Sequence, residues 1–132
     1  MFLTCASLAT AESDAVRELV SIPDFAFGGI GAAGTTSAGE IAFRQILDGS
    51  SAKEEFSRLL ASGNAQARCY ALVGLRKLDP GGHADRIRRF EHDDTSVSTI
   101  GGCMIMKLPM SSVVANISKG QYDTYLEASP RR

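Results

Sequence analysis

The chain has 132 residues, 44% hydrophobic and 22% charged, with 14 Lys and Arg against 15 Asp and Glu for a formal charge of −1. This is the composition of one soluble domain, long enough to bury a real hydrophobic core. It excludes a whole-protein field that would draw in nucleic acid or an anionic membrane, and no apolar stretch reaches bilayer-spanning length.

Residues 1–11 are apolar or small from Phe2 to Ala11, and Ala9-Thr10-Ala11 resembles a signal cleavage site before Glu12. No Lys or Arg precedes the run, and the run is short. An export signal and a loosely docked tail both fit, so an exported and a cytoplasmic location stay open. Cys5 lacks a lipidation context. From residue 12 to 132 the chain reads as a single helical-repeat domain.

A first helix is predicted over 12–21, with Ala15, Val16, Leu19 and Val20 on one side and Pro23 stopping it. Gly29-x-Gly31-x-x-Gly34 then shows the spacing of a dinucleotide loop. Such a loop needs a buried strand before it, a helix opening on it, and a second strand ending in an acid. Residues 22–27 read as too short and Pro-interrupted for that first strand. The glycines therefore read as an ordered bend pinned by Phe25, Phe27 and Ile30, and no cofactor is expected.

Ser37-Ala38-Gly39-Glu40 fits a capping box opening a helix with Ala42, Phe43, Ile46 and Leu47 inside and Glu40, Arg44 and Gln45 outside. Ser51-Ala52-Lys53-Glu54 fits a second, with Ala52, Phe56, Leu59 and Leu60 inside. Asn64 caps a third helix, 65–78, which is apolar on most sides and so belongs at the centre. Ala84, Ile87 and Phe90 mark a short helix with Arg86, Arg88 and Arg89 outside. Residues 95–108 fit either a distorted helix or a short β-hairpin, since Val, Thr, Ile and Gly101-Gly102 are poor helix formers. Ser111 or Ser112 caps a helix carrying Val113, Val114 and Ile117, and Tyr122, Tyr125 and Leu126 pack a last turn onto the body.

Asn64 to Leu75 has an echo about thirty residues on, Asp94-Thr95-Ser96-Val97 to Ile105, and an upstream one at Ala42-Phe43 and Ile46. Repeats of this length are helical hairpins that complete one another's core. Residues 56–97 resemble a pair of short HEAT-like repeats through Leu59, Leu60, Asn64, Arg68, Ala71, Leu75, Ile87, Asp94 and Val97. The chain also resembles small bacterial proteins with a YALxGL helix, here Tyr70 to Leu75, and a later Gly-Cys pair, here Gly102-Cys103. The HEAT-like resemblance implies an all-α fold, a short α-solenoid of stacked hairpins with at most one small β-hairpin near 96–108. It also implies a non-catalytic binding scaffold with a protein partner.

Arg76, Lys77, Arg86, Arg88 and Arg89 make a basic strip if their helices align, a candidate contact for an acidic protein. Without interleaved aromatics it does not point to nucleic acid. Cys69 and Cys103 remain as a candidate disulfide if export removes Cys5; in a reducing compartment both read as buried apolar residues. His83, His92 and Asp94 are the residues a metal-dependent hydrolase would use, but helix capping and a solvated turn account for the acids around them. No catalytic or metal residue is assigned. A structural subunit burying an apolar side in a homo-oligomer is the other alternative.

Overall fold

The computed structural model describes residues 13–127; the apolar tail or export signal expected at 1–11, with Cys5, lies outside them. The elements run α1 (Asp14–Ser21), β1 (Asp24–Ile30), β2 (Thr35–Thr36), α2 (Ala38–Leu47), α3 (Ala52–Ser62), α4 (Ala65–Leu78), α5 (His83–Arg88), β3 (Ser96–Gly102), β4 (Met104–Pro109), α6 (Met110–Ser118) and α7 (Asp123–Glu127). The sheet has the order β2-β1-β3-β4, with β1 and β3 parallel and both outer pairings antiparallel.

This is a mixed α/β architecture and corrects the expected all-α solenoid. The helical hairpin at the heart of the HEAT-like resemblance does form, as α3 and α4. Its echo does not: Val97 lies on β3, where Val97 and Thr99 are buried at a spacing of two. Of the two readings open for 95–108, the hairpin is the one that forms. The segment judged too short for a strand is β1. Pro23 stands just ahead of it, at a position where a missing N–H costs no ladder bond.

Local chemistry explains the helix starts. Ser13, Ser37 and Asn64 each accept the backbone N–H three residues on, from Val16, Glu40 and Ala67. Ser51 makes no side-chain cap bond, so the second capping box is absent. The α6 start is held by neither Ser111 nor Ser112; the Met110 and Ser111 N–H groups donate to the carbonyls of Thr95 and Asp93.

The core lies between the sheet and the helices. Helix α4 carries eight buried residues and runs through its middle. Phe25 and Phe27 alternate onto the face that meets Tyr70, Phe43 and Tyr122, at ring separations of 4.8–5.7 Å in mostly edge-on geometry. The Tyr70 hydroxyl accepts the Ala26 N–H and donates to the Ala26 C=O, each at 2.9 Å, and Ser37 Oγ donates to the same carbonyl. Side chains thus seal the stretch of β1 that the two-residue β2 does not reach.

Burial pushes the Cys69 thiol and the Tyr70 and Tyr122 phenols up to about 12. Groups whose folded pKa is raised release their protons more readily in the unfolded chain. Their stabilisation is whole below the ordinary values of 9.0 for Cys and 10.0 for Tyr, and is lost as pH climbs from there toward about 12. In a Tyr125→Phe chain, phenolate absorbance near 295 nm is expected to rise together with the loss of helical circular dichroism. A phenolate signal appearing in a still-folded chain would contradict this.

Candidate functional site: the free edge of the sheet

The two ends of the sheet are treated differently. At the glycine-rich end, β1 bulges, so that Ala26 pairs with Ile100 but Ile30 with Gly102. The Gly28 N–H at this bulge donates to Glu40 Oε1 at 2.9 Å. Glu40 Oε2 accepts from Arg44 Nε at 3.1 Å and Nη2 at 2.9 Å, and Arg44 also donates to the Tyr125 carbonyl. Glu40, expected outside, is 5% exposed. Its carboxylate is turned to the sheet instead of back to the Ser37 N–H, so α2, the bulge and α7 are tied at one point. The tie is structural; it leaves no acceptor facing an opening.

Gly31 and Gly34, at φ +72° and +66°, turn β1 into β2, with the Gly34 N–H donating to the Gly31 carbonyl. The helix that follows opens only at Ser37, beyond β2. A parallel strand therefore does lead into Gly29, contrary to expectation. Yet the glycines form a hairpin and not the helix N-terminus that a pyrophosphate would use.

The other side of the sheet is open. β3 and β4 are joined by Gly102-Cys103, a two-residue turn with Gly102 at φ +59°, the left-handed region that such hairpins demand. The Gly31 N–H donates to the Gly102 carbonyl at 2.9 Å and braces the turn from β1. Register fixes what each β4 residue offers. The Met110 N–H bonds to the Thr95 carbonyl, and pairing proceeds in steps of two through Val97–Leu108, Thr99–Met106 and Gly101–Met104. In an antiparallel ladder these are the hydrogen-bonded pairs, so the N–H and C=O of Ile105 and Lys107 point away from β3. Nothing among the described residues meets them.

Side chains along this edge are apolar and uncovered. Met104 is 65% exposed, Ile105 69% and Met106 45%. Directly opposed residues share a face. Met106 therefore lies on the face of buried Thr99, and Ile105 on the face of Ile100. Lys107 is the one charge on the strand, and Pro109, without an N–H, ends it. Edge strands are ordinarily blunted with charge or cover, and this one is blunted only at its far end.

The residues singled out from sequence fall elsewhere. Arg76 Nη1 bonds both Asp123 carboxylate oxygens at 2.6 Å, Arg86 Nη2 bonds Asp79 at 2.6 Å, Arg88 pairs with Asp85, and the Arg89 guanidinium stands 4.9 Å over the Phe90 ring. Lys77 is exposed at the end of α4. The strip is largely answered by neighbouring acids, and the Arg86 hydrogen bond, with Lys53 behind it, holds the Asp79 carboxyl below its ordinary value. The candidate disulfide does not form. Cys69 is buried on α4 with its sulfur 3.6 Å from Met110 Sδ, whereas Cys103 is exposed in the hairpin turn, and both are free.

His83 Nε2 lies 2.9 Å from Ser118 Oγ. Burial, then Arg76 and Arg86, lower the His83 pKa from its ordinary value. A Ser–His pair of this kind could pass a proton, but among the described residues Nδ1 is buried without a partner, and none of their carboxylates orients the ring as a triad would. His92 and Asp94 are exposed on the turn after α5 and do not join it. Among the described residues no three His, Cys, Asp or Glu side chains are grouped to hold a metal ion, and no helix is long and apolar enough to cross a membrane. The β4 edge was missed in the sequence. Its available signal is the alternation of Val97 and Thr99 with Ser96 and Ser98, followed by a glycine turn and a second apolar run.

No protein-family model, curated protein or solved structure matches the chain.

Proposed function

We propose that the chain is a non-catalytic protein-binding module that takes up a polypeptide strand along the free edge of β4. The observation that carries the reading is the exposure of Met104, Ile105 and Met106 on a strand whose outward N–H and C=O groups have no partner among the described residues. Strand addition draws affinity from main-chain hydrogen bonds and specificity from alternate side chains, and this edge offers both. Supporting it, the opposite flank of the sheet is closed by Tyr70, Ser37 and Glu40, and the largest ionic clusters are engaged in holding helices together.

Site-specific photocrosslinking tests the reading. With a benzophenone amino acid in place of Met104, irradiation in the native cell is expected to give a polypeptide adduct. The same probe in place of Glu54, exposed on α3, should give at least about tenfold less. Ile105→Pro removes one outward N–H without touching the β3 ladder and should abolish the adduct. No adduct at position 104 above the Glu54 control would overturn the proposal.

A further inference from the structure

We infer that the strand taken up by β4 is the β4 of a second copy of this chain, paired antiparallel about a two-fold axis at Met106, so that two four-stranded sheets become one. This rests on reading β4 as a binding edge and names the occupant. An antiparallel strand meeting its own copy is self-complementary, and the two-fold closes the assembly at two chains instead of propagating a fibre.

The register follows from residues on the strand. Within β4 only Ile105 and Lys107 direct both N–H and C=O outward; Pro109 shares their phase but has no N–H to give, and Cys103 belongs to the turn. An axis at Ile105 would leave one hydrogen-bonded pair, Ile105 with Ile105, and set Lys107 against the turn of the second copy. An axis at Lys107 would set two lysines directly opposite each other, which is repulsive, and Ile105 against Pro109. An axis at Met106 avoids both. It pairs Ile105 with Lys107 on either side of the axis, Met106 with Met106 and Met104 with Leu108, and leaves Pro109 beyond the ladder.

Charge and area agree with this choice. The one charge on β4, Lys107, meets Ile105 of the second copy and keeps the end of its side chain at the rim. Met104 and Met106 on one face of the strand and Ile105 on the other together expose on the order of 300 Å² per copy. With backbone and flanking atoms from both copies the contact approaches about 1,000 Å², the lower end of specific interfaces. A dimer of that size is concentration-dependent.

Sedimentation velocity from about 1 µM to about 1 mM is expected to show the weight-average mass rising toward twice the monomer. Ile105→Pro and Ile105→Lys should each stay monomeric across that range while keeping the wild-type melting temperature in dilute solution. Lys at 105 leaves the backbone intact, so agreement between the two separates lost pairing from lost folding. Register is read with Cys5→Ser and Cys103→Ser in place: under glutathione disulfide, Met106→Cys should cross-link at least about tenfold faster than Ile105→Cys. Equal rates, or a dimer that survives both Ile105 substitutions, would overturn the pairing. So would a wild-type chain that is monomeric throughout. If that monomer still captures a different polypeptide at position 104, the binding-edge reading stands and self-pairing alone falls; if it captures nothing, both fall.

Discussion

Glu40→Ala is expected to destabilise the fold by about 3–5 kcal/mol, a large share of the 5–15 kcal/mol that holds a domain of this size together. The carboxylate is the common acceptor for the Gly28 N–H and both guanidinium contacts of Arg44. Its removal leaves a guanidinium whose side chain is 18% exposed without its counterion, and an unbonded N–H at the sheet bulge. Leaving a charge buried and unpaired costs more than the pair itself contributes. Two comparisons separate that cost from simple loss of volume. Glu40→Gln keeps the shape and one acceptor, and should cost about 1–2 kcal/mol. Glu40→Leu combined with Arg44→Met replaces the pair by apolar volume and should recover most of the loss. Urea denaturation gives the three values, and faster hydrogen exchange at Gly28 should accompany the first and the last, which leave no acceptor at position 40, but not Glu40→Gln. A Glu40→Ala chain within about 1 kcal/mol of wild type would show that the tie is not essential.

What could be read from the sequence divides along the range of the interaction. Ser37 and Asn64 cap the helices expected of them because a cap is settled within four residues. Helix α4 declares its central place through apolar residues on most of its sides, and it is the most buried element. The strands fail for the opposite reason. β1 pairs with β3 more than seventy residues away, Asp24 beside Ser98, and no local pattern in Asp24–Ile30 announces that partner. Pro23 was misleading because its restriction falls on the residue before it, while the strand begins on the residue after it. The echo from Asp94 to Val97 fits a helical repeat or a strand equally well over so few positions, and pairing with β1 and β4 decided it. Glu40 shows how a good local motif hides a tertiary one. Its spacing from Ser37 fits a capping box, and only the approach of Gly28 reveals where the carboxylate goes. The exposure of the β4 edge was missed because apolar residues are by default assigned to the interior, and Met104 to Met106 are not there.

Gly74→Val is expected to cost at least about 3 kcal/mol, although valine is the better helix former by intrinsic propensity. Gly74 lies in the interior of α4, where glycine costs about 1 kcal/mol against alanine, so its presence needs a reason in the packing. The reason is Phe56 of α3. A Cβ at position 74 would lie 2.6 Å from Phe56 Cδ2 and Cζ, and nearer still to Cε2. The ring cannot yield, since it is fully buried and its centroid stands 5.4 Å from that of Phe43. Gly74→Ala carries the same clash with one carbon, partly offset by propensity, and should cost about 1–2 kcal/mol. Phe56→Leu alone should cost a similar amount through lost burial. The pair should not add. With Leu at 56 there is room for the new methyl group, so Gly74→Ala becomes neutral or stabilising, and a double-mutant cycle should return a coupling of about 1–2 kcal/mol. Strict additivity would mean that the two helices separate to admit the methyl group. The close approach of α3 and α4 would then be a consequence of the glycine and not a requirement of the fold.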